Sequence, residues 1–441
     1  KILGVGQGAN GSINDVIGWR LDDVVAQIRG QKDTVVRLEV LPADAGPDGK
    51  PITLSLVRKK VSIEEQAAKK SIIEVKDGNA ARRVGVISLP TFYQDFEARR
   101  RGDKDYKSAT RDVAKLLGEL KQDKVDGVLV DLRNNGGGSL TEATELTGLF
   151  IDKGPVVQVR NAQGHVEADS DTQAGMAWDG PLAVLVNRGS ASASEIFAAA
   201  IQDYGRGVII GEPTFGKGTV QNLVDLDEVT QQEKPVYGEL KMTMAQFFRI
   251  NGGTTQLRGV TPDITYPDTG DGTEFGESAF PNALPWNSIA PADYARLGDL
   301  KSLIPLLATR HEQRAEKDAD WQLLVDERRE VRKLREQKTV SLNEASRRAE
   351  RDAQEARRKT REAALRQAAG GGDPAVTDDG LQSDERSVKS DVAREKELKD
   401  RRDVALQEAA HILADEIALI RSDTKLAAQV LPHPGLKDGV D

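Results

Sequence analysis

Residues 181–221 read PLAVLVNRGSASASEIFAAAIQDYGRGVIIGEPTFGKGTVQ. Leu182–Val186 and Val208–Ile210 are short unbroken apolar runs, and ASEIFAAAIQDYG between them has the length and composition of a helix. Strands without polar alternation are those covered on both faces, so this strand–helix–strand unit predicts an α/β core with helices packed on a largely buried sheet. The pattern extends outward. RVGVISLPTF (83–92) and DGVLVDLR (126–133) read as strands, and Val113, Leu116, Leu117 and Leu120 mark a helix between them. SLTEATELTGLF (139–150) reads as a helix entered through three glycines, and LKMTMAQFFRI (240–250) as a further strand. The class is therefore α/β, mixed α+β once the flanking regions are counted.

Those flanks differ in composition. In residues 1–60, KILGVGQGANGS is a strand and a Gly-rich turn, and Leu21, Val24, Val25 and Ile28 recur as one face of a short helix. TVVRLEVL and ITLSLVRKK alternate with period two around PADAGPDGKP and predict a long-looped hairpin. Residues 61–80 read as a polar connector, 81–299 as the α/β core and 300–441 as a charged helical extension. In that extension GGGDPAVTDDG (370–380) is a flexible break, and Val404, Leu406, Ala410, Leu413, Ile417 and Ile420 mark a last amphipathic helix. The charged helices before the break are expected to be solvated.

The 441 residues carry 71 acids and 62 bases, a net charge of −9, which disfavours a general nucleic-acid binder. No apolar run reaches the ~18 residues of a membrane span. With no cysteine, thiol catalysis, thiolate metal sites and disulfides are excluded. The chain opens at Lys1 directly on a strand, so it is expected to be a fragment lacking its N-terminal part and any targeting segment.

Three segments carry candidate chemistry. In GSASASEIF, Ser190, Ser192 and Ser194 sit where a strand turns into a helix, a place where a hydroxyl meets solvent beside the positive end of a helix dipole. Ser192 and Glu195 also form S-x-x-E, so a plain capping box would account for both. In GEPTFGKGTVQ, Lys217 stands between two glycines after a strand. Burial there would favour the neutral amine, which can take a serine proton; a surface lysine in a Gly turn is the simpler alternative. In LVDLRNNGGGSL, Gly138 N–H together with Ala193 N–H could cradle an oxyanion, or the glycines could merely serve a tight turn.

Competing motifs fare worse. His165, His311, His411 and His433 lie in a polar loop or in the C-terminal region, which speaks against a Ser–His–Asp triad and against zinc; neither metal nor cofactor is expected. Gly6, Gly8 and Gly11 satisfy G-x-G-x-x-G, but only the short apolar stretch beginning KIL precedes it and a hairpin follows, against a dinucleotide site. There is no phosphate-binding G-x-x-x-x-G-K-[ST] motif.

Taken together, SASASEIFAAAIQDYGRG, GEPTFGKGTVQ and RGVTPDI resemble the C-terminal processing peptidases, or tail-specific proteases, in their long bacterial periplasmic form. The resemblance covers about residues 1–300, and NALPWNSI and TVSLNEA look like that form's own extension. In that family nucleophile and base are 25 residues apart with a Gln four residues later, which implies Ser192, Lys217 and Gln221. It further implies Gly138 and Ala193 as the oxyanion hole and Asp203 in a supporting role. Residues 1–60 resemble the second half of a PDZ domain, with Leu21, Val24, Val25 and Ile28 on the helix beside which a peptide tail is added as a strand. The implied function is a serine endopeptidase acting on extracytoplasmic, periplasmic proteins with exposed apolar C-termini, with an adaptor protein as a further partner. The alternatives are a catalytically silent tail-binding scaffold and a hydrolase of non-peptide esters or amides.

Overall fold

The alternation of strands and helices becomes a six-stranded sheet in the computed structural model of the chain. The structure describes residues 1–42, 49–59, 67–77, 80–103, 105–231, 236–268, 275–337, 339–353, 356–357 and 402–432. They fall into two compact units, one of residues 1–64 with 355–402, the other of 65–354 with 403–441. The sequence-predicted flexible break at 370–380 and His433 lie outside the described residues.

In the first unit, β1 (Ile2–Gln7), β2 (Ile13–Asp15), β3 (Val35–Val40) and β4 (Ile52–Val57) form an antiparallel sheet in the order β2-β1-β3-β4. The hairpin read from period-two alternation pairs Val35 with Val57 through Val40 with Ile52. Helix α1 (Leu21–Ile28) starts with Asp22 and Asp23, whose charges suit the positive end of the helix dipole. It packs on the sheet through Val24 and Ile28, which join Val5, Val16, Val36 and Leu38 in a small core.

In the second unit the strands are β5 (Lys69–Asp77), β6 (Ala80–Ser88), β7 (Gly127–Asp131), β10 (Leu182–Val186), β11 (Val208–Gly211) and β14 (Ile264–Thr265), in the order β14-β11-β10-β7-β6-β5. All neighbours are parallel except the antiparallel pair β5–β6. Every residue of β7, β10 and β11 is buried, as an unbroken apolar strand requires. The reading of 61–80 as a connector is corrected here, because Lys69–Asp77 is β5, an edge strand whose mixture of exposed lysines and half-buried isoleucines masks its character.

One face of the sheet is covered by α3 (Ala109–Gln122), α4 (Leu140–Gly148) and α5 (Ala193–Asp203), with the short α2 (Phe96–Arg100) beside them. The other face is covered by α7 (Leu303–Ala315), Trp321 of α8 (Ala319–Glu336), α9 (Val404–Ser422) and α10 (Thr424–Val430). Helix α9 lies so close to β7 that a Cβ on Gly127 would stand 2.9 Å from Ile417 Cδ1. Its N-cap, Asp403, is held by Arg133 at 2.6 and 3.0 Å, and the same guanidinium binds Asp131 at the end of β7 at 2.7 and 2.9 Å. The last amphipathic helix is thus part of the body around the sheet, while much of α8 is exposed.

A second sheet, in the order β12-β13-β8-β9, joins β8 (Gly154–Asn161), β9 (Val166–Asp171), β12 (Thr219–Asp225) and β13 (Glu239–Phe248), with the single-turn α6 (Leu226–Val229) after β12. The strand read from LKMTMAQFFRI therefore extends this sheet and not the six-stranded one.

Candidate active site

The three serines after β10 have different fates. Ser190 is fully buried, donates to Leu132 O at 2.8 Å and accepts from Asn187 N–H at 3.0 Å. Ser194, also buried, donates to Asn135 O at 2.8 Å. Both hydroxyls tie the start of α5 to the loop after β7. Ser192 alone is half-exposed, and it has φ 57° and ψ −112°, a conformation rarely adopted by a residue with a side chain. Such strain persists only where the surroundings enforce it, and it concentrates at functional sites.

The surroundings are organised by Glu195. Its side chain is wholly buried and accepts four hydrogen bonds. Oε1 accepts from Thr214 Oγ1 at 2.6 Å and Gly216 N–H at 2.7 Å; Oε2 accepts from Ser192 N–H at 2.8 Å and Lys217 N–H at 2.9 Å. The Thr214 hydroxyl already accepts Val260 N–H at 2.7 Å, which directs its proton to Glu195. One carboxylate oxygen therefore joins the backbone nitrogens of Ser192 and Lys217, which lie no farther apart than those two bonds laid end to end. Burial pushes the Glu195 carboxyl up to about 7 against these four donors.

The glycines around Lys217 follow from close backbone approach. Gly216 has φ +94°, and a Cβ there would stand 2.9 Å from the Leu257 carbonyl carbon. A Cβ on Gly218 would stand 2.5 Å from Thr254 Oγ1, and Gly218 N–H donates to Gln256 Oε1 at 2.8 Å. The Lys217 amine is held below its ordinary value, first by burial and then by Lys241, against opposing pulls from Glu277 and Glu195. Nζ donates to Gln221 Oε1, at 3.3 Å, from β12. No hydrogen bond joins it to Ser192 Oγ in this arrangement; the lysine has a flexible four-carbon stem, and such bonds are often long without substrate.

The Gly-rich loop lies against the same spot. A Cβ on Gly137 would stand 2.8 Å from Ser192 Cβ and 3.1 Å from Ala193 N. Gly138, at φ +148°, packs on the Phe92 backbone. Among the described residues no acceptor takes Gly138 N–H or Ala193 N–H. Asn134 and Asn187 bond reciprocally at 2.8 and 3.0 Å and join this loop to the one after β10. A cavity of about 410 Å³, lined in part by Arg133, Asn134, Asn187 and Arg188, contains none of Ser192, Lys217 or Gln221.

Asp203 is not brought to this spot. It ends α5, three turns from Ser192, and binds Arg249 at 2.6 and 3.0 Å and Asn251 at 2.8 Å. Of the α1 residues, Val24 and Ile28 pack into the small core, Val25 is half-buried and Leu21 is 77% exposed. His311 bonds Glu408 and His411 bonds the Gln407 carbonyl. Sequence reasoning took Glu195 only for a helix cap and passed over Thr214, Gln256 and Glu277; S-x-x-E spacing was the one available signal.

Residues 83–266 match the model of peptidase family S41, and residues 271–418 match the C-terminal domain of tail specific protease. The tail-specific protease of Haemophilus influenzae is 45% identical over 361 residues, which cover 81% of this chain and 49% of that protein. The carboxyl-terminal-processing protease of Synechocystis is 36% identical over 208 residues, 47% of this chain and 44% of that one. Among solved structures, the photosystem II D1 C-terminal processing protease matches with a TM-score of 0.38 and 29% identity, over 60% of this chain and 62% of its own. The chain spans about half the length of the curated relatives it matches.

Proposed function

We propose that this chain, which belongs to the tail-specific proteases of peptidase family S41, hydrolyses peptide bonds in protein substrates with a Ser192–Lys217 pair. Ser192 Oγ attacks the scissile carbonyl. Neutral Lys217 accepts its proton and passes it to the leaving amine, and water then resolves the acyl-enzyme. Gln221 orients the amine, and the N–H groups of Gly138 and Ala193 receive the oxyanion. The observation that carries this reading is the single Glu195 oxygen bonded to the N–H of both Ser192 and Lys217. The depressed amine supports it, because burial favours the unprotonated form a base needs. Asp203 supports the reaction indirectly, by holding the segment of Arg249 and Asn251.

Residues 1–60 form the sheet-and-helix half of a PDZ-like tail-binding module, with Leu21 and Val25 the α1 residues left to meet a peptide. The substrates in this reading are periplasmic proteins with exposed apolar C-termini, presented with or without an adaptor. The test is cleavage of one unfolded protein bearing either an apolar or a charged C-terminus. Wild type should cut the apolar-tailed form faster, and Ser192→Ala and Lys217→Ala should each lose at least about 10²-fold while remaining folded. Wild-type turnover by Lys217→Ala would end the mechanism; equal cutting of both tails would end the tail specificity alone.

A further inference from the structure

We infer that Glu195 is the positioning residue of the Ser192–Lys217 pair: its ionised carboxylate holds the nucleophile's and the base's backbones together, and its protonation releases them. This rests on the Ser–Lys reading above and adds a second group that must lose a proton before the site can act.

The argument is one of donor count. A carboxylate has two oxygens and only acceptor capacity, and here each oxygen already faces two donors. Three are backbone N–H groups, which cannot be reversed, and the fourth is a threonine hydroxyl, one of whose two lone pairs is taken by Val260 N–H. A proton on Oε2 would point at the Ser192 or Lys217 N–H and displace it; a proton on Oε1 would displace the Gly216 N–H or make the Thr214 hydroxyl turn and accept. The group cannot turn away, because it is 0% exposed. A protonated Glu195 therefore gives up one of these bonds or reverses the one to Thr214, and in both cases it holds the Ser192, Gly216 and Lys217 N–H groups less strongly than the carboxylate does. Its side chain makes no hydrogen bond to Ser192 Oγ or Lys217 Nζ; it holds their backbones, and its charge also raises the Lys217 amine.

Charged groups on the surrounding elements do not supply an alternative. Asp203, at the far end of the same helix, is taken by Arg249. Arg133, on the loop after β7, is taken by Asp131 and Asp403. Arg258 lies over the Trp286 ring, 4.1 Å from its centroid. Glu277 and Lys241 act on the Lys217 amine in opposite senses, and Glu195 raises it as Glu277 does. Burial raises the Glu195 carboxyl to about 7, so its release falls within an accessible pH range.

The test is the rate at which a fluorophosphonate labels Ser192, followed from acid to alkaline pH. The Oγ–P bond forms as fluoride leaves, and the serine proton passes to Lys217, so the readout needs no physiological substrate. In the wild type the log rate should fall with slope one below the Lys217 transition and steepen to slope two below that of Glu195. Glu195→Gln should label roughly 10²-fold more slowly and keep slope one throughout. Thr214→Val removes one donor to the ionised form and should move the lower transition up by roughly one pH unit. A merely structural glutamate would change the rate without changing the slope. Wild-type slope two in Glu195→Gln, with Ser192 still the labelled residue, overturns the inference and leaves the Ser–Lys reading intact. If Glu195→Gln loses cooperative unfolding, Thr214→Val decides, and an unmoved lower transition overturns it. Labelling that persists in Ser192→Ala, or is unchanged in Lys217→Ala, overturns both.

Discussion

Alanine placed at each of Gly136, Gly137 and Gly138 should give three different proteins. At Gly136 nothing lies within 4 Å of the new Cβ and the backbone is not left-handed, so the change should stay within about 0.5 kcal/mol and leave activity intact. At Gly137 the Cβ would stand 2.8 Å from Ser192 Cβ, 2.9 Å from Ala191 O and 3.1 Å from Ala193 N. Opening the first contact to an ordinary ~3.5 Å separation asks for a shift of roughly 0.7 Å between the loop and the nucleophile. Displacements of that order cost about 10²-fold in rate, and φ +104° adds about 1–3 kcal/mol of backbone strain. At Gly138 the Cβ would fall 2.2 Å from Phe92 O, so the damage is to the backbone bridge with Phe92. The assay is fluorophosphonate labelling of Ser192 beside thermal unfolding. The expected order is an unaffected Gly136→Ala, a Gly137→Ala that loses mainly rate with its melting temperature down by roughly 2–8 °C, and a Gly138→Ala that loses both stability and rate, because its N–H is the proposed oxyanion donor. A Gly137→Ala enzyme labelled at the wild-type rate would refute the packing of this loop on Ser192.

Asp203→Asn should lower stability by about 3 kcal/mol, because it leaves the mostly buried Arg249 guanidinium without its charge partner, while the pH transitions of labelling stay where they are; a shifted transition would place Asp203 in the chemistry. Lys241→Gln removes an influence that lowers the Lys217 amine and should move the upper transition to higher pH, and Glu277→Gln should move it to lower pH, since the base acts only when neutral; shifts of the same sign would refute the assignment. Glu416 on α9 is 2% exposed, its Oε2 has no hydrogen-bond partner among the described residues, and burial raises its carboxyl from 4.5 to about 8. The native state then holds one extra proton between those values, so this group's contribution to stability falls as pH rises through that window. Glu416→Gln should match the wild type near pH 5 and melt higher at pH 9, by on the order of 4 kcal/mol at most; an equal gain at both pH values would refute the linkage.

Much of the fold was legible because it is written in local periodicity. Leu182–Val186 and Val208–Gly211 lie inside the sheet because unbroken apolar strands of that length need cover on both faces. Lys69–Asp77 escaped notice because an edge strand with three lysines among nine residues has a polar composition. The Ser192–Lys217–Gln221 spacing was legible by family resemblance, but the residues alone left Ser190, Ser192 and Ser194 equivalent. Burial separates them: the two flanking hydroxyls are spent on Leu132 O and Asn135 O.

From sequence alone come β6, β7, β10 and β11 of the central sheet with the helices between them, the family pattern at the strand-to-helix turn and the change of composition after residue 300. Each depends on neighbours within a turn, a strand or a single motif. Tertiary structure alone decides the four-donor environment of Glu195, the closeness of Gly137 to Ser192 and the covering of the sheet's second face by α9. Glu195 shows why. Its bond to Ser192 spans three residues and is visible as S-x-x-E, whereas Thr214, Gly216 and Lys217 reach it only after the chain has run down α5 and back along β11. No local pattern records which backbone donors such a return will bring to a buried carboxylate.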